Sequence, residues 1–575
     1  MGKKLSSAIK TGVLTELLAG LKFLFSPSNS KRKIAIIEKL GERKIRNPLF
    51  LIKYHDTLCF LQAYPDNSLL LKLVDDELAD FAGRVKYFRE INGPDDDRID
   101  DTGMVDTTIH YPYNIHMARW LVNNYGSSVD IDWDDYAENE ADSISGMLNI
   151  FALYMENDGV DDENLTTEDW IARATGSSQT SLSWLLEKLN RVQAPFEIKQ
   201  YLYDNSELTL EWHLGRTGAT RTLAKNPRRK IYFQKTPLKK QKIDLRKSVK
   251  KVVPAVSLLS TKAGSVIINT LIRAQLPRHR ELYPVLYANP AEVYLTSPGR
   301  GLEIFILGMR GDDRMPLETN YSALLVKNGV PIGYGIAVLF FERCEIAINV
   351  FDTFRSGEAS LIFEHFFRVF YHHFGGRAFL MRRWQVGHEN EEGLQSGSFW
   401  FYFKLGFRPL EPRSNELAQT EWLKIRQDRT YRTDIKTLKK LALSDMVIDL
   451  RPKVEKPYEE LLVSKIAFVL TRMIAEKYKG DGRKAESDST RFTKSVLGVS
   501  NLKSWTASER LQFQRWSPLL ASIPNLSGWK RSEKQHLLRI IRSKAARGEK
   551  DYVRLLQEHR RLQNALTGLA VSSND

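Results

Sequence analysis

The sequence predicts a mixed α/β fold built on a mostly antiparallel sheet, with helical regions before and after it. Between residues 291 and 351 the runs AEVYLT, LEIFILGM, YSALLV, IGYGIAVLFF and CEIAINVF are rich in β-branched and aromatic residues, and Lys327-Asn328-Gly329 joins the third to the fourth. Asn-Gly between such runs is a strong hairpin signal. The pattern then changes to strand, helix, strand, helix, strand up to residue 450, which is a mixed layer architecture. Elsewhere the apolar residues fall at helical spacing.

A chain of 575 residues exceeds one core, at roughly 100 to 200 residues per domain. Composition shifts place boundaries near 225 and 452: a mainly helical region 1–225 with acidic loops, a central domain 226–452, and a basic helical region 453–575. With 42% hydrophobic and 27% charged residues it reads as a soluble globular protein. No stretch reaches the roughly 18 consecutive apolar residues of a spanning helix. Lys and Arg outnumber Asp and Glu by 85 to 70, which suits a phosphorylated cofactor, nucleic acid or a membrane surface. Cys59 and Cys344 stand far apart without ligand spacing. That argues for a reducing, cytoplasmic setting, and against a disulfide framework or structural zinc.

Leu14, Leu17, Leu18, Leu21, Leu24 and Phe25 define a first amphipathic helix flanked by lysines, suited to packing on the next segment or lying on a membrane surface. The opening MGKKLS fits a myristoylation pattern. From Asn47 to Phe88 the pattern is helical, broken at Pro65. NGPDDDRIDD and VDIDWDDYAENEAD are dense in Asp, but a calcium loop counted from Asp130 lacks its glycine at the sixth position (Asp135) and its Glu at the twelfth (Ala141). They are expected to be solvated loops. DWIARATGSSQTSLSWLL, residues 169–186, resembles a helix-turn-helix, with Gly176 in the turn and Ser177 where an apolar residue normally packs. Its second helix opens without Arg or Lys to grip phosphates.

The basic run 226–251, carrying Tyr232 and Phe233, reads as a seam with a strand at its start, or as a single-strand binder. VSLLSTKAGSVIINTLIRAQL is expected to be helix. After Gly357 comes a helix with Ile362, Phe363, Phe366, Val369, Phe370 and Phe374 on its apolar face and Ser360, Glu364, Arg368 and His372 opposite, Glu364 and Arg368 pairing at i, i+4. Beyond Pro409 the chain turns polar and helical, with a strand at 445–450, a helix from Tyr458, a polar linker KGDGRKAESDST, and a helical pair turning near Gly548.

The junction VFDTFRSGEAS, with FRSGEA at Phe354 to Ala359, and the closing helix FYFKLGF at Phe401 to Phe407 resemble the GNAT N-acetyltransferase fold. The resemblance is tightest over 332–409. The wider chain, with HDTLCFLQAYPDN, ANPAEVYL and GHENEEGLQSGSFWFYFKLGFRP, also resembles a group of large bacterial proteins carrying such a domain. The first resemblance implies a sheet with helices on both faces and direct acyl transfer from acetyl-CoA, or another acyl-CoA, to a small-molecule or protein amine. It implies cofactor contacts at Val350, Phe351, Arg355, Ser356, Gly357, Glu358 and Ala359, the last five at a helix start suited to a diphosphate. It further implies Tyr402 as the acid, Glu345 as the base with Glu342 as substitute, a backbone N–H near Val350 for the thioester oxygen, and no metal. Phe354 stands where Gln or Arg is usual, and Glu358 puts a negative charge inside the turn. The alternative expectation is a catalytically degenerate domain acting as a binding or scaffold module, with DNA binding through 169–186.

Overall fold

The computed structural model describes residues 11–138, 144–160, 165–177, 179–226, 230–238, 243–253, 255–428, 430–452 and 458–572. The myristoylation pattern, the end of the second acidic loop and parts of the basic run lie outside them. The chain forms two compact units. The first comprises 1–238, 269–286 and 327–331, and the second 239–268, 287–326 and 332–575.

In the first unit, five helices follow one another: Thr11–Leu21, Pro27–Gly41, Pro48–Ala63, Ser68–Ala79 and Phe81–Asn92. Ser26, Asn47 and Asn67 cap three of them, and proline fills the first position of two, where its missing N–H costs nothing. The first helix buries Leu14, Leu18 and Leu21, so it packs on its neighbours. Lys33 and Asp66 form an ion pair at 2.8 Å with side chains 0% and 3% exposed. The hydroxyl of Ser30 donates to the same carboxylate, supplying the extra hydrogen bond a buried pair requires.

The same unit holds a small sheet of Thr108–Tyr111, Leu210–His213 and Val129–Ile131 with 210–213 central, in a region expected to be mainly helical with acidic loops, one of which supplies 129–131. Each strand is three or four residues long, too short for alternation to register. The acidic loop is not merely solvated. Asp100 and Asp101 accept the N–H groups of Thr108 and His110 at 2.8 and 2.7 Å, covering an exposed strand edge. The expected strand at the start of the basic run is irregular chain instead, with the Gln234 amide donating to the Pro65 carbonyl and that of Tyr232 to the Asn328 side chain.

The second unit is organised by a nine-stranded sheet in the order 408–409, 446–449, 378–381, 343–350, 330–340, 319–327, 302–309, 288–299, 256–258. One edge strand is only the two residues Arg408–Pro409, and the other, Val256–Leu258, takes the start of the run expected to be all helix. The remainder of that run is the helix Thr261–Gln275. Pairing is antiparallel wherever the partner registers are resolved, except between 343–350 and 378–381, which run parallel. That pair is joined by the helix Ala359–His373, the crossover a parallel connection requires.

Phe366, Phe367, Phe370 and Phe374, at this helix and its end, form a buried apolar stripe. Gly335 makes room for one of them, since a Cβ there would lie 3.1 Å from the Phe366 ring. The middle of the opposite stripe is buried too, contrary to expectation, while His372 at its end is exposed. Glu364 and Arg368 are each 8% exposed, and they bond to the Ser248 hydroxyl and the Val252 carbonyl rather than to each other. The segment around Leu245–Ser248 covers them, and periodicity within one helix cannot reveal that second neighbour. The polar linker is likewise a helix, Gly482–Val496, capped by Asp481 and burying Ala485, Ser489 and Thr493.

A buried charge cluster ties the sheet to the last helices of this unit. Glu292 (1% exposed) lies where a Cβ on Gly308 or Gly548 would collide with it. It accepts the Glu549 N–H at 2.7 Å, and burial followed by the Glu549 charge pushes its carboxyl up to about 7. The Arg314 guanidinium donates to the carbonyls of Lys544 and Ala546. Lys544 bonds Glu549 at 2.6 Å.

Candidate functional site

The parallel pair decides the geometry. Strand 343–350 is paired with 333–340 along its whole length, but with 378–381 only from Arg343 to Glu345. Past Leu380 the second strand leaves this ladder and then enters a 3-10 turn, Arg383–Val386. The Phe351 N–H donates to Ile332 at 2.9 Å. In antiparallel pairing the residues alternate, so Ile348 and Val350 aim their N–H and C=O groups at the other edge, beyond the point where the parallel pairing ends. Ile348, Val350 and Phe351 are only 5–6% exposed, so little of these residues, backbone included, reaches solvent along this edge. The N–H of Phe351 is already used.

The expected diphosphate turn follows. Asp352–Phe354 is a 3-10 turn and the helix begins at Ala359. Ser356 is exposed, Ala359 half-buried and Gly357 buried; the Gly357 amide donates to the Phe354 carbonyl at 2.8 Å. Phe354, 2% exposed, is a core side chain. Glu358 is turned inward, also 2% exposed, and Arg300 holds its carboxylate at 2.5 Å. Arg300 comes from the hairpin tip Gly299-Arg300-Gly301, where all three residues have positive φ. Its role as the counter-charge to Glu358 has no trace in the sequence beyond that tight turn. Arg355 reaches back to the Val350 carbonyl at 3.1 Å and pairs with Asp352 and Glu392.

As a donor set, the first-turn amides, which have no intrahelical acceptor, together with the dipole and Arg355 suit a diphosphate. The inward pairing of Glu358 removes the repulsion its charge would otherwise exert. The Gly357 amide contributes nothing there, and Arg355 would have to be released from a carboxylate.

Tyr402, on the helix Ser398–Leu405, is 4% exposed and lies among Phe363, Phe401 and Phe407, with ring centroids 5.9, 5.3 and 5.9 Å away. Burial alone raises its phenol well above the usual range, so it stays protonated at neutral pH but is a weaker acid than an exposed tyrosine. Glu345 stands where the parallel pairing stops and accepts from Arg382 Nε at 2.7 Å. Arg382 also binds Asp445 and Glu460, and Arg343 binds Glu460 and Glu318. Taking a proton would weaken the bond from Glu345 to Arg382. Glu342 lies beyond the far end of the strand, about 26 Å from Val350 at ~3.3 Å per residue, and bonds Arg560, so it cannot substitute.

Asn390 caps the helix Glu391–Gln395 through the Gly393 amide. Residues 169–186 do fold as two helices, Thr167–Thr175 and Ser181–Arg191, with Gly176 at φ +59°. The second buries Leu182, Trp184, Leu185, Leu186 and Leu189. Its opening amides, at Ser181 and Leu182, donate to the Asp130 carboxylate, so a phosphate would meet a negative charge there. Among the described residues no group of His, Cys, Asp or Glu could hold a metal ion, and no helix is long and apolar enough to cross a membrane. No family model, curated protein or solved structure matches the chain.

Proposed function

We propose that residues 332–409 form the core of an acyl-CoA-dependent transferase of the GNAT type, an N-acetyltransferase in the simplest case, acting on a small-molecule or protein amine. The observation that carries this reading is the parallel pair that is bonded for three residues and then parts, leaving the N–H groups of Ile348 and Val350 on an edge without a strand partner among the described residues. An open edge of this kind suits an extended arm with amide groups, which adds to it much as a peptide adds to a sheet.

Acyl-CoA, when bound, supplies the acyl thioester. The Val350 N–H is suited to stabilise charge developing on a carbonyl oxygen. The Tyr402 hydroxyl gives its proton to the departing sulfur, and Glu345 receives the proton of the amine through water, with Arg382 fixing its orientation. Ser356, Ala359 and Arg355 hold the anionic end at the helix start. One feature favours a catalytically silent binding module instead: the Gly357 amide and the Arg355 guanidinium are already bonded within the turn or to Glu392.

Calorimetric titration of acetyl-CoA into the full chain tests the proposal. Binding with a Kd in the micromolar range, weakened by Arg355→Glu, is expected. Tyr402→Phe should leave that binding intact and slow thiol release about 100-fold or more. Both cysteines are buried, which keeps the background of a thiol reagent low. No heat with any acyl-CoA ends the proposal, and binding without turnover selects the silent module.

A further inference from the structure

The basic surplus of the chain is concentrated in its last fifth. Residues 461–575 carry twenty-two Lys and Arg against ten Asp and Glu, and within 500–545 the balance is nine to two. Those two carboxylates are committed to folding. Glu509 accepts the Thr506 N–H and Glu533 the Lys530 N–H, each at 2.8 Å, so both serve to start helices. Arg542 further neutralises Glu509 at 2.7 Å. The Arg542–Glu509 pair cancels in charge, so the positive charge that the groove beside it offers an anion rests mainly on Arg539, with Arg542 available only by exchanging Glu509 for it.

The same stretch has a shape to go with its charge. An open groove of about 770 Å³ runs between the helix Arg531–Lys544 and the segment 498–505. Arg539 and Arg542 line it together with Asn501, Ser532 and Gln535, side chains that donate readily to phosphate oxygens. Arg539 is exposed. Trp505, also in the wall, already has its ring occupied by the Arg542 guanidinium at 5.2 Å and by Phe513 edge-on at 5.5 Å. With one face already taken by the Arg542 guanidinium, it is a poorer platform for the base stacking that single-strand binders use.

We propose that this groove is a docking surface for the phosphate backbone of a nucleic-acid duplex, read through charge and hydroxyl or amide donors without base stacking. It is independent of acyl transfer and lies outside residues 169–186. The test is fluorescence anisotropy of a labelled duplex of about 20 base pairs against the full chain, across a salt series. Binding that falls steeply with salt is expected. Arg539→Glu with Arg542→Glu should weaken it at least about tenfold at low salt and lower the salt slope by roughly one for each phosphate no longer neutralised. Arg539→Glu alone should show the same effect at smaller size, which protects the test if the Arg542 change disturbs the helix start at Glu509. Lys477→Glu with Lys479→Glu alters net charge equally outside the groove and should cost much less. An equal weakening in this control, equal or tighter binding of a single-stranded oligonucleotide, preference for anionic vesicles, or no binding at low salt would each overturn the proposal.

Discussion

Strand 343–350 has two halves that are put to different uses. Its first three residues are paired on both sides and locked by Arg343 and Arg382, which between them engage Glu318, Glu345, Asp445 and Glu460. Its last five are in register with one neighbour only and end in a turn whose charges are satisfied locally by Arg300 and Arg355. The ionic lock holds the parallel strands together where they touch, so that the chain can part them a few residues later without the sheet sliding. Ionic contacts are concentrated at one end of a single strand, and an edge without a strand partner among the described residues lies at the other.

The largest expected effect comes from breaking the lock. Arg343 is 6% exposed on its side chain, so Arg343→Leu leaves the Glu318 carboxylate without its partner while Glu460 keeps Arg382, and should cost about 3 kcal/mol, read as a lowered midpoint in urea. A loss below about 1 kcal/mol would mean the two halves do not differ in the way described. Val350→Pro attacks the other half. It deletes an N–H that makes no ladder bond, so thiol release should fall about 100- to 1000-fold; because the buried Val350 side chain goes with it, the urea midpoint should fall too, by roughly 1–3 kcal/mol, and unchanged thiol release in the folded variant would show that this N–H takes no part. The smallest effect sharpens the comparison. Glu392→Gln frees Arg355 from one of its two carboxylates, and acetyl-CoA should then bind a few-fold tighter, about 1 kcal/mol, by calorimetry.

Much of the central sheet was legible because it announces itself in side chains. β-Branched runs, the Asn328-Gly329 turn and the aromatic stripe of 359–373 all state their own conformation. What was not legible depends on partners distant in sequence. Glu364 and Arg368 read as an exposed pair because nothing local reveals Ser248 and Val252 above them. Glu358 read as a defect in the turn because Arg300, fifty-eight residues earlier, leaves no local sign of its destination. Arg382, which orients Glu345, and the other two carboxylates it holds assemble only in three dimensions. The three short strands at 108–111, 129–131 and 210–213 carry too few residues for any period to emerge, and an Asp-rich loop looks the same whether water or a strand edge satisfies it.

The cluster of Glu292, Arg314, Lys544 and Glu549 also constrains when this unit can be completed. Glu292 and Arg314 are made some 230 to 257 residues before the groups that satisfy them. At ribosomal rates of roughly 5–20 residues per second, that is an interval of about 10–50 s in which Glu292 has only the Tyr294 and Tyr321 hydroxyls and Arg314 only the Met309 carbonyl. A chain truncated upstream of residue 544 therefore lacks the carbonyls, the Lys544 ammonium and the Glu549 N–H that complete this cluster.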